Sequence, residues 1–163
     1  MIERPNNNSE KLPTFSLRQA TRDDLPFLFK VSTDAMRPVT AALNPGREFN
    51  EEEEFAKYEE KFEPEKIKVI QYEGHDVGRL RVVRTPESIY IGGLQILPEF
   101  QGMGIGSAIN QELIDESNRT GIPIISEVHH VNEKNLHIKE KFGFKEISRN
   151  ETQVVMKYTP KRT

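Results

Sequence analysis

The chain has 163 residues, with 23 Lys+Arg against 26 Asp+Glu, a formal net charge of −3 and no cysteine. That length suits one domain with a real core, since a chain of about 150 residues buries roughly 70% of its unfolded surface. The charge argues against nucleic-acid or acidic-membrane partners, which select a basic face; the missing cysteine excludes disulfides, thiolate-bound metals and a thiol nucleophile.

Hydrophobic residues are only 35% of the chain but occur in clusters, which points to a folded domain. No stretch reaches the ~20 apolar residues of a membrane span. The first 11 residues lack an apolar leader segment and read as a polar tail, so a cytoplasmic location is expected. The expected organisation is a tail over 1–13, one domain over 14–158 and a short tail over 159–163.

Residues 15–20 read as a strand. Thr21 and Asp24 have the spacing of a capping box, so a helix is expected to open at Thr21. Leu25, Leu28, Phe29, Ser32, Ala35 and Met36 share one helical face, and Pro38 is expected to end the helix. Residues 43–46 read as a turn. Asn50 suits the cap of a second helix whose first turn, Glu51 to Glu54, places carboxylates at the positive end of the dipole. That four-Glu run reads first as a solvated helix start. Phe55, Tyr58 and Phe62 give the second helix an apolar edge.

Three strands follow at 67–72, 77–84 and 88–97. The first two form a hairpin through Glu73, Gly74, His75 and Asp76. Gly92 and Gly93 sit inside the third, where glycine marks a bulge, a close approach to a ligand, or a weak strand. A helix from about Ile105 to Arg119 stops at Gly121. A strand over 123–128, a short helix capped by Asn132, and strands over 144–148 and 153–158 complete the chain. The strands before and after the 105–119 helix are expected to be parallel.

Three glycines alternate at 102, 104 and 106 between a strand and a helix. Such a loop lets backbone approach a ligand, and the unpaired N–H groups of the helix start hold phosphate without a lysine. The phosphate motif with Gly-Lys-[Ser/Thr] fails because the chain has no Gly-Lys pair. The dinucleotide fingerprint fails because its third glycine position holds Ser107 or Ile109, depending on the start.

What remains is Q-x-x-G-x-G. Gln101, Gly102, Met103, Gly104, Ile105 and Gly106, preceded by Leu94 to Glu99, resemble the acetyl-CoA motif of the GNAT N-acetyltransferase superfamily. Asn132 to Asn135 and Phe142-Gly143-Phe144 resemble the family's next motif, N-x-x-A-x-x-x-Y-x-x-x-G-F. The opening Leu17 to Thr21 and Asp23 to Leu25 are also similar to family N-termini. The resemblance implies an α+β GNAT fold, a mixed central sheet of about six to seven strands with helices on both faces. It implies acetyl-CoA as cosubstrate, with the pantetheine arm along Leu94, Gln95 and Ile96 and the pyrophosphate on the N–H groups from Gly102 to Ser107. Asn132 matches a residue that helps hold the arm.

The implied chemistry is direct attack of a neutral amine on the thioester in a ternary complex. It needs a base, donors for the carbonyl oxygen and an acid for the thiolate. The family's tyrosine acid falls at Lys139, and the motif's alanine at Asn135. Lys139 has three readings from spacing alone: proton donor, partner of a CoA phosphate, or exposed helix residue. His137 lies about 200° away around a helix and cannot face the same sulfur. His129 or His130 can relay the amine proton or be plain loop residues. Glu127 is a base candidate if its side of the strand faces the gap, and Tyr90 shares that condition. No His, Asp and Glu spacing forms a metal set.

By resemblance, the acceptor pocket uses residues 36–62. Phe49, Phe55, Tyr58 and the acids there suit an amine or another cation. The acceptor itself is not named by the sequence, and a monomer or homodimer is expected. Two other classes fit the sequence less well: a non-catalytic acyl-CoA-binding module lacking the tyrosine acid, and a nucleotide- or phosphate-binding regulatory domain.

Overall fold

The computed structural model describes residues 12–161; residues 1–11 of the tail expected over 1–13, and the last two residues, lie outside them. Seven strands form one sheet: β1 Ser16–Gln19, β2 Lys68–Tyr72, β3 His75–Arg84, β4 Ile89–Ile96, β5 Ile124–His129, β6 Lys145–Arg149 and β7 Gln153–Tyr158. Their spatial order is β1-β2-β3-β4-β5-β7-β6. Only β4 and β5 pair in parallel. The helices are α1 Leu25–Leu43, α2 Glu51–Glu60, α3 Ile105–Thr120 and α4 Glu133–Lys141.

The alternation of side chains along β2 separates the two layers. Ile70 packs with Ile105, Ile109 and Leu113 of α3. Its neighbour Val69 packs with Leu25 and Leu28 of α1 and with Phe62. Helices therefore cover both faces of a mixed sheet, the α+β architecture expected.

Two helix boundaries differ from expectation. A single 3-10 turn, Arg22–Asp24, precedes α1. The Thr21 N–H donates to Asp24 Oδ2 at 2.8 Å, but the α-helix begins one residue ahead of Pro26, whose ring suits a first turn. Pro38 does not end α1. Pro38 is exposed while Val39 is buried, so the backbone bond lost at proline falls on the solvent side and the packed face carries the helix on to Leu43. Asn50 caps α2 as expected, accepting from the Glu53 N–H at 3.1 Å.

The β2–β3 turn is tighter than expected. His75 already pairs with Tyr72, leaving Glu73 and Gly74 as a two-residue turn at positive φ, the hand that matches strand twist.

The β3–β4 register positions the site. Arg81 faces Gly93 and the next residue, Val82, faces Ile91. Gly92 is therefore the extra residue of a bulge. On its other edge, β4 pairs with β5 only at Ile89–Ile124, Tyr90–Ile125 and Ile91–Ser126. Beyond Ile91 the two strands part, and residues 92–96 present a backbone edge that β5 does not cover. β5 continues against β7 as far as His129.

Candidate active site

The splayed edge leads directly into the glycine loop. The Gln101 side-chain amide donates to the Ile96 carbonyl at 2.8 Å, which fastens the loop to the end of β4. Gly102 and Gly104 have φ of 79° and 90°, values that side chains with a Cβ rarely adopt. At Gly104 a Cβ would also lie 3.2 Å from Pro13 Cδ. Gly104 caps α3, and the first intrahelical bond runs from the Ala108 N–H to the Gly104 carbonyl at 2.9 Å. The N–H groups of Ile105, Gly106 and Ser107 thus have no acceptor within the helix, at its positive end. Met103 stands exposed at the loop tip.

The other expected cofactor residues fall around this path. Leu94 is half-buried against the α3-side core and Ile96 lies within it, while Gln95 Oε1 accepts from Arg79 Nη1 at 2.6 Å. Each leaves its backbone as the part available at the edge. The Asn132 side chain caps α4, accepting from the Asn135 N–H at 3.3 Å.

Lys139 is not an exposed helix residue. It is 2% exposed, its ammonium donating to Asn110 Oδ1 at 2.9 Å and standing 4.9 Å over the Phe144 ring. The side chain runs inward from α4 to Asn110 on α3 and the ring of Phe144, which removes it from water. Burial away from water pushes its pKa from 10.5 to about 8.

Glu127 occupies the opposite face. Val128 belongs to the α3-side core, so Glu127 points to the α1–α2 side. There Glu127 Oε1 accepts from the Tyr90 hydroxyl at 2.7 Å. Burial, and then the carboxylate, raise the Tyr90 pKa. This pair straddles β4 and β5 just where their pairing stops. His130 lies past the end of β5, exposed, with its backbone N–H on the Thr152 carbonyl. The His129 ring turns inward, and its Nδ1 is buried without a partner among the described residues. No three His, Asp or Glu side chains among those residues converge on a metal position.

Sequence reasoning missed Arg79 and Arg81. Both project from β3 to the α1–α2 side and stand over the glycine pair of β4. A Cβ on Gly93 would lie 2.7 Å from Arg79 Nη1, and one on Gly92 would collide with Arg81. The signal was available: two arginines two residues apart, flanking Leu80, on a strand that pairs with a Gly-Gly strand.

The sequence matches the Acetyltransferase (GNAT) family over residues 34–144, more than half of the chain. The chain belongs to the GNAT acetyltransferase family. No curated protein matches it by sequence. Among solved structures it is similar to the PaiA N-acetyltransferase of Thermoplasma acidophilum in complex with coenzyme A, with 18% identity and a TM-score of 0.68 over 90% of this chain and 99% of that one. A ribosomal-protein alanine N-acetyltransferase of Escherichia coli gives 18% identity and 0.63 over 92% and 96%. An acetyltransferase of Thermus thermophilus gives 18% and 0.68 over 91% and 99%. At these identities the likeness speaks for the GNAT fold alone.

Proposed function

We propose that this GNAT chain transfers the acetyl group of acetyl-CoA to an amine by direct attack in a ternary complex. The observation that carries the reading is the end of β4–β5 pairing at Ile91–Ser126, at the Gly92 bulge, with a free strand edge leading to the open N-terminus of α3. An extended amide-bearing arm fits the first, and a pyrophosphate fits the second. The structural neighbour from Thermoplasma acidophilum holds coenzyme A, which is consistent with this fit.

Acetyl-CoA supplies an activated thioester. Residues 92–96 offer backbone groups along the arm and a donor for the carbonyl oxygen, while the N–H groups of 105–107 hold the pyrophosphate. Glu127, held in place by Tyr90, takes the proton of the attacking amine. Lys139 gives a proton to the departing sulfur from the other side of the sheet. A donor with a pKa of about 8 is matched to a thiol of about 8.5, the condition under which general acid catalysis works best. His130 remains a second candidate for relaying the amine proton from the end of β5.

The test is calorimetric titration with acetyl-CoA followed by thiol release with a panel of amines. Binding and turnover together support the reading. Absence of binding overturns it, and tight binding without turnover of any amine favours a non-catalytic acyl-CoA-binding module.

A further inference from the structure

A cavity of about 470 Å³ lies between α1, α2 and β3. Arg79 and Arg81, the two arginines that stand over the β4 bulge, are part of its lining and connect it to the strand edge where the transfer is proposed. Phe29, Phe49, Tyr58 and Phe62 supply much of its wall. Phe29 and Tyr58 meet edge-on with centroids 5.7 Å apart.

The sequence placed acidic residues here and suggested a cationic guest. The structure reverses that sign. Of the three lining carboxylates, Glu54 is engaged by Arg47 at 3.0 Å and by Lys57 at 3.6 Å, and Glu63 by Lys66 at 3.2 Å. Arg79 and Arg81 have no carboxylate within ion-pair distance among the described residues. Burial depresses the Arg79 pKa, Tyr58 opposes the shift and the charge of Arg81 adds to it; Glu48, the third lining carboxylate, pairs with neither arginine among the described residues.

A second observation points to a ligand. Four buried side-chain polar atoms lack a hydrogen-bond partner among the described residues: Ser32 Oγ, Tyr58 Oη, Arg79 Nε and His129 Nδ1. The first three belong to residues that line this one cavity; Tyr58 and Arg79 stand close enough for the hydroxyl to favour the Arg79 charge, but neither atom makes a well-formed hydrogen bond. Folded proteins pair such groups with protein, ordered water or a ligand, and three of them on one open cavity leave room for a guest to do so. Arg79 spends Nη1 on Gln95 but keeps Nε free, and two guanidinium groups without a carboxylate, with hydroxyl groups beside them in an aromatic pocket, are matched to a planar oxyanion.

We infer that the acceptor is a small amine that also carries a carboxylate and an apolar body, with its carboxylate received by Arg79 and Arg81 and its body lying against Phe29, Phe49 and Tyr58. This rests on the acetyl-transfer reading above. The anion sits at the two arginines, and the amine is left toward the Tyr90–Glu127 pair, next to Arg81 on the same face.

The decisive experiment compares L-phenylalanine with phenethylamine, which differ by the carboxylate alone, in thiol release from acetyl-CoA. A site built around a polar substrate group rejects the analogue that lacks it, so kcat/KM should favour phenylalanine by about 100-fold or more. Arg81→Gln should collapse that ratio to within about threefold. A parallel titration uses 3-phenylpropionate, a carboxylate without an amine, on protein saturated with coenzyme A. It should bind the parent and bind Arg81→Gln at least about tenfold more weakly, while retained coenzyme A binding shows that the variant is folded.

Equal use of the two amines, or an unchanged ratio in Arg81→Gln, overturns the inference. So does preference for O-phosphoethanolamine over both, which would make the anion a phosphate. A protein that binds 3-phenylpropionate but not acetyl-CoA overturns the transfer reading, and with it the acceptor role, while keeping the anion site. A protein that binds acetyl-CoA but not 3-phenylpropionate leaves the transfer reading standing and removes this one.

Discussion

Lys139 Nζ and Asn110 Oδ1 meet at 2.9 Å between α3 and α4. Asn110 in turn donates to the Gly106 carbonyl at 3.0 Å, so the buried ammonium is joined through one amide to the first turn of the helix that opens the glycine loop. Among the described residues no carboxylate lies within ion-pair distance of Lys139. Its partners are a neutral amide and the face of Phe144, which compensate a charge far less than water does. A buried, unneutralised lysine destabilises a fold, and the role proposed for it as the acid for the departing sulfur would give that destabilisation a catalytic reason.

The stability cost can be read against pH. The unfolded chain keeps the lysine proton up to 10.5, whereas the folded chain releases it near 8. Between those values the unfolded state binds more protons, so stability rises with pH across the window; below about 8 both states are charged and the penalty is fully present. The fall from 10.5 to about 8 corresponds to about 3 kcal/mol at roughly 1.36 kcal/mol per pKa unit. Lys139→Met should therefore be more stable than the parent at pH 7, by up to about 3 kcal/mol in denaturant unfolding, and the gain should fade as pH approaches 10.5. A methionine variant that is less stable at pH 7 would show that the ammonium's contacts outweigh its desolvation.

The same substitution should separate catalysis from binding. General acid catalysis is worth about 10²–10⁴-fold. Lys139→Met is expected to lower kcat at least about tenfold with little change in KM for acetyl-CoA. Because the acid must be protonated, the parent's kcat should decline above about pH 8, following the value at which Lys139 titrates, and the variant should lack that decline. A raised KM with unchanged kcat would instead assign Lys139 to a CoA phosphate. Lys139→Tyr, which restores the family's residue, should match or exceed the parent in kcat.

The fold was legible because local signals agreed. Asn50 and Asn132 cap the helices they precede, and Gly92-Gly93 does mark the bulge. Pro38 misled because a proline signal is local, whereas the helix past it is held by Val39 in the core, a tertiary fact. The glycine loop was legible because backbone geometry alone makes it. The acceptor cavity was not: the sign of its field depends on which carboxylates are already paired. Glu54 counted among the acids of residues 36–62, yet is engaged by Arg47 and Lys57, and Glu63, just outside that segment, by Lys66. Arg79 and Arg81 lie in sequence well outside the segment expected to form the pocket and reach it only through strand register.

The Tyr90–Glu127 pair is expected to act on the amine. Glu127→Gln keeps the shape and the acceptor for the Tyr90 hydroxyl but cannot take a proton, so kcat should fall by about 10²-fold or more while acetyl-CoA affinity holds. Tyr90→Phe removes only the group that orients the carboxylate, and its loss should be smaller. Stopped single-turnover kinetics separate these from product release. If Glu127→Gln turns over at the parent's rate, the base is another residue, with His130 next to be replaced.

The glycine loop offers a cleaner test at Gly106 than at Gly104. A side chain at Gly104 meets Pro13 and requires a positive φ, so its replacement confounds binding with folding. Gly106 has no positive φ, and a Cβ there meets nothing within 4 Å. It lies in the first turn of α3, where aspartate is favourable to the helix dipole. Gly106→Asp should fold with unchanged or slightly raised stability, yet place a carboxylate where the pyrophosphate is proposed to sit. The parent should gain roughly 2.7 kcal/mol of stability at acetyl-CoA concentrations about 100 times Kd, read as a rise in Tm, and Gly106→Asp should gain almost nothing. The two effects separate in one experiment, because the ligand-free melting point reports the fold and the shift reports the site. An intact shift in a folded Gly106→Asp protein would move the phosphate elsewhere and overturn the assignment of the α3 N-terminus.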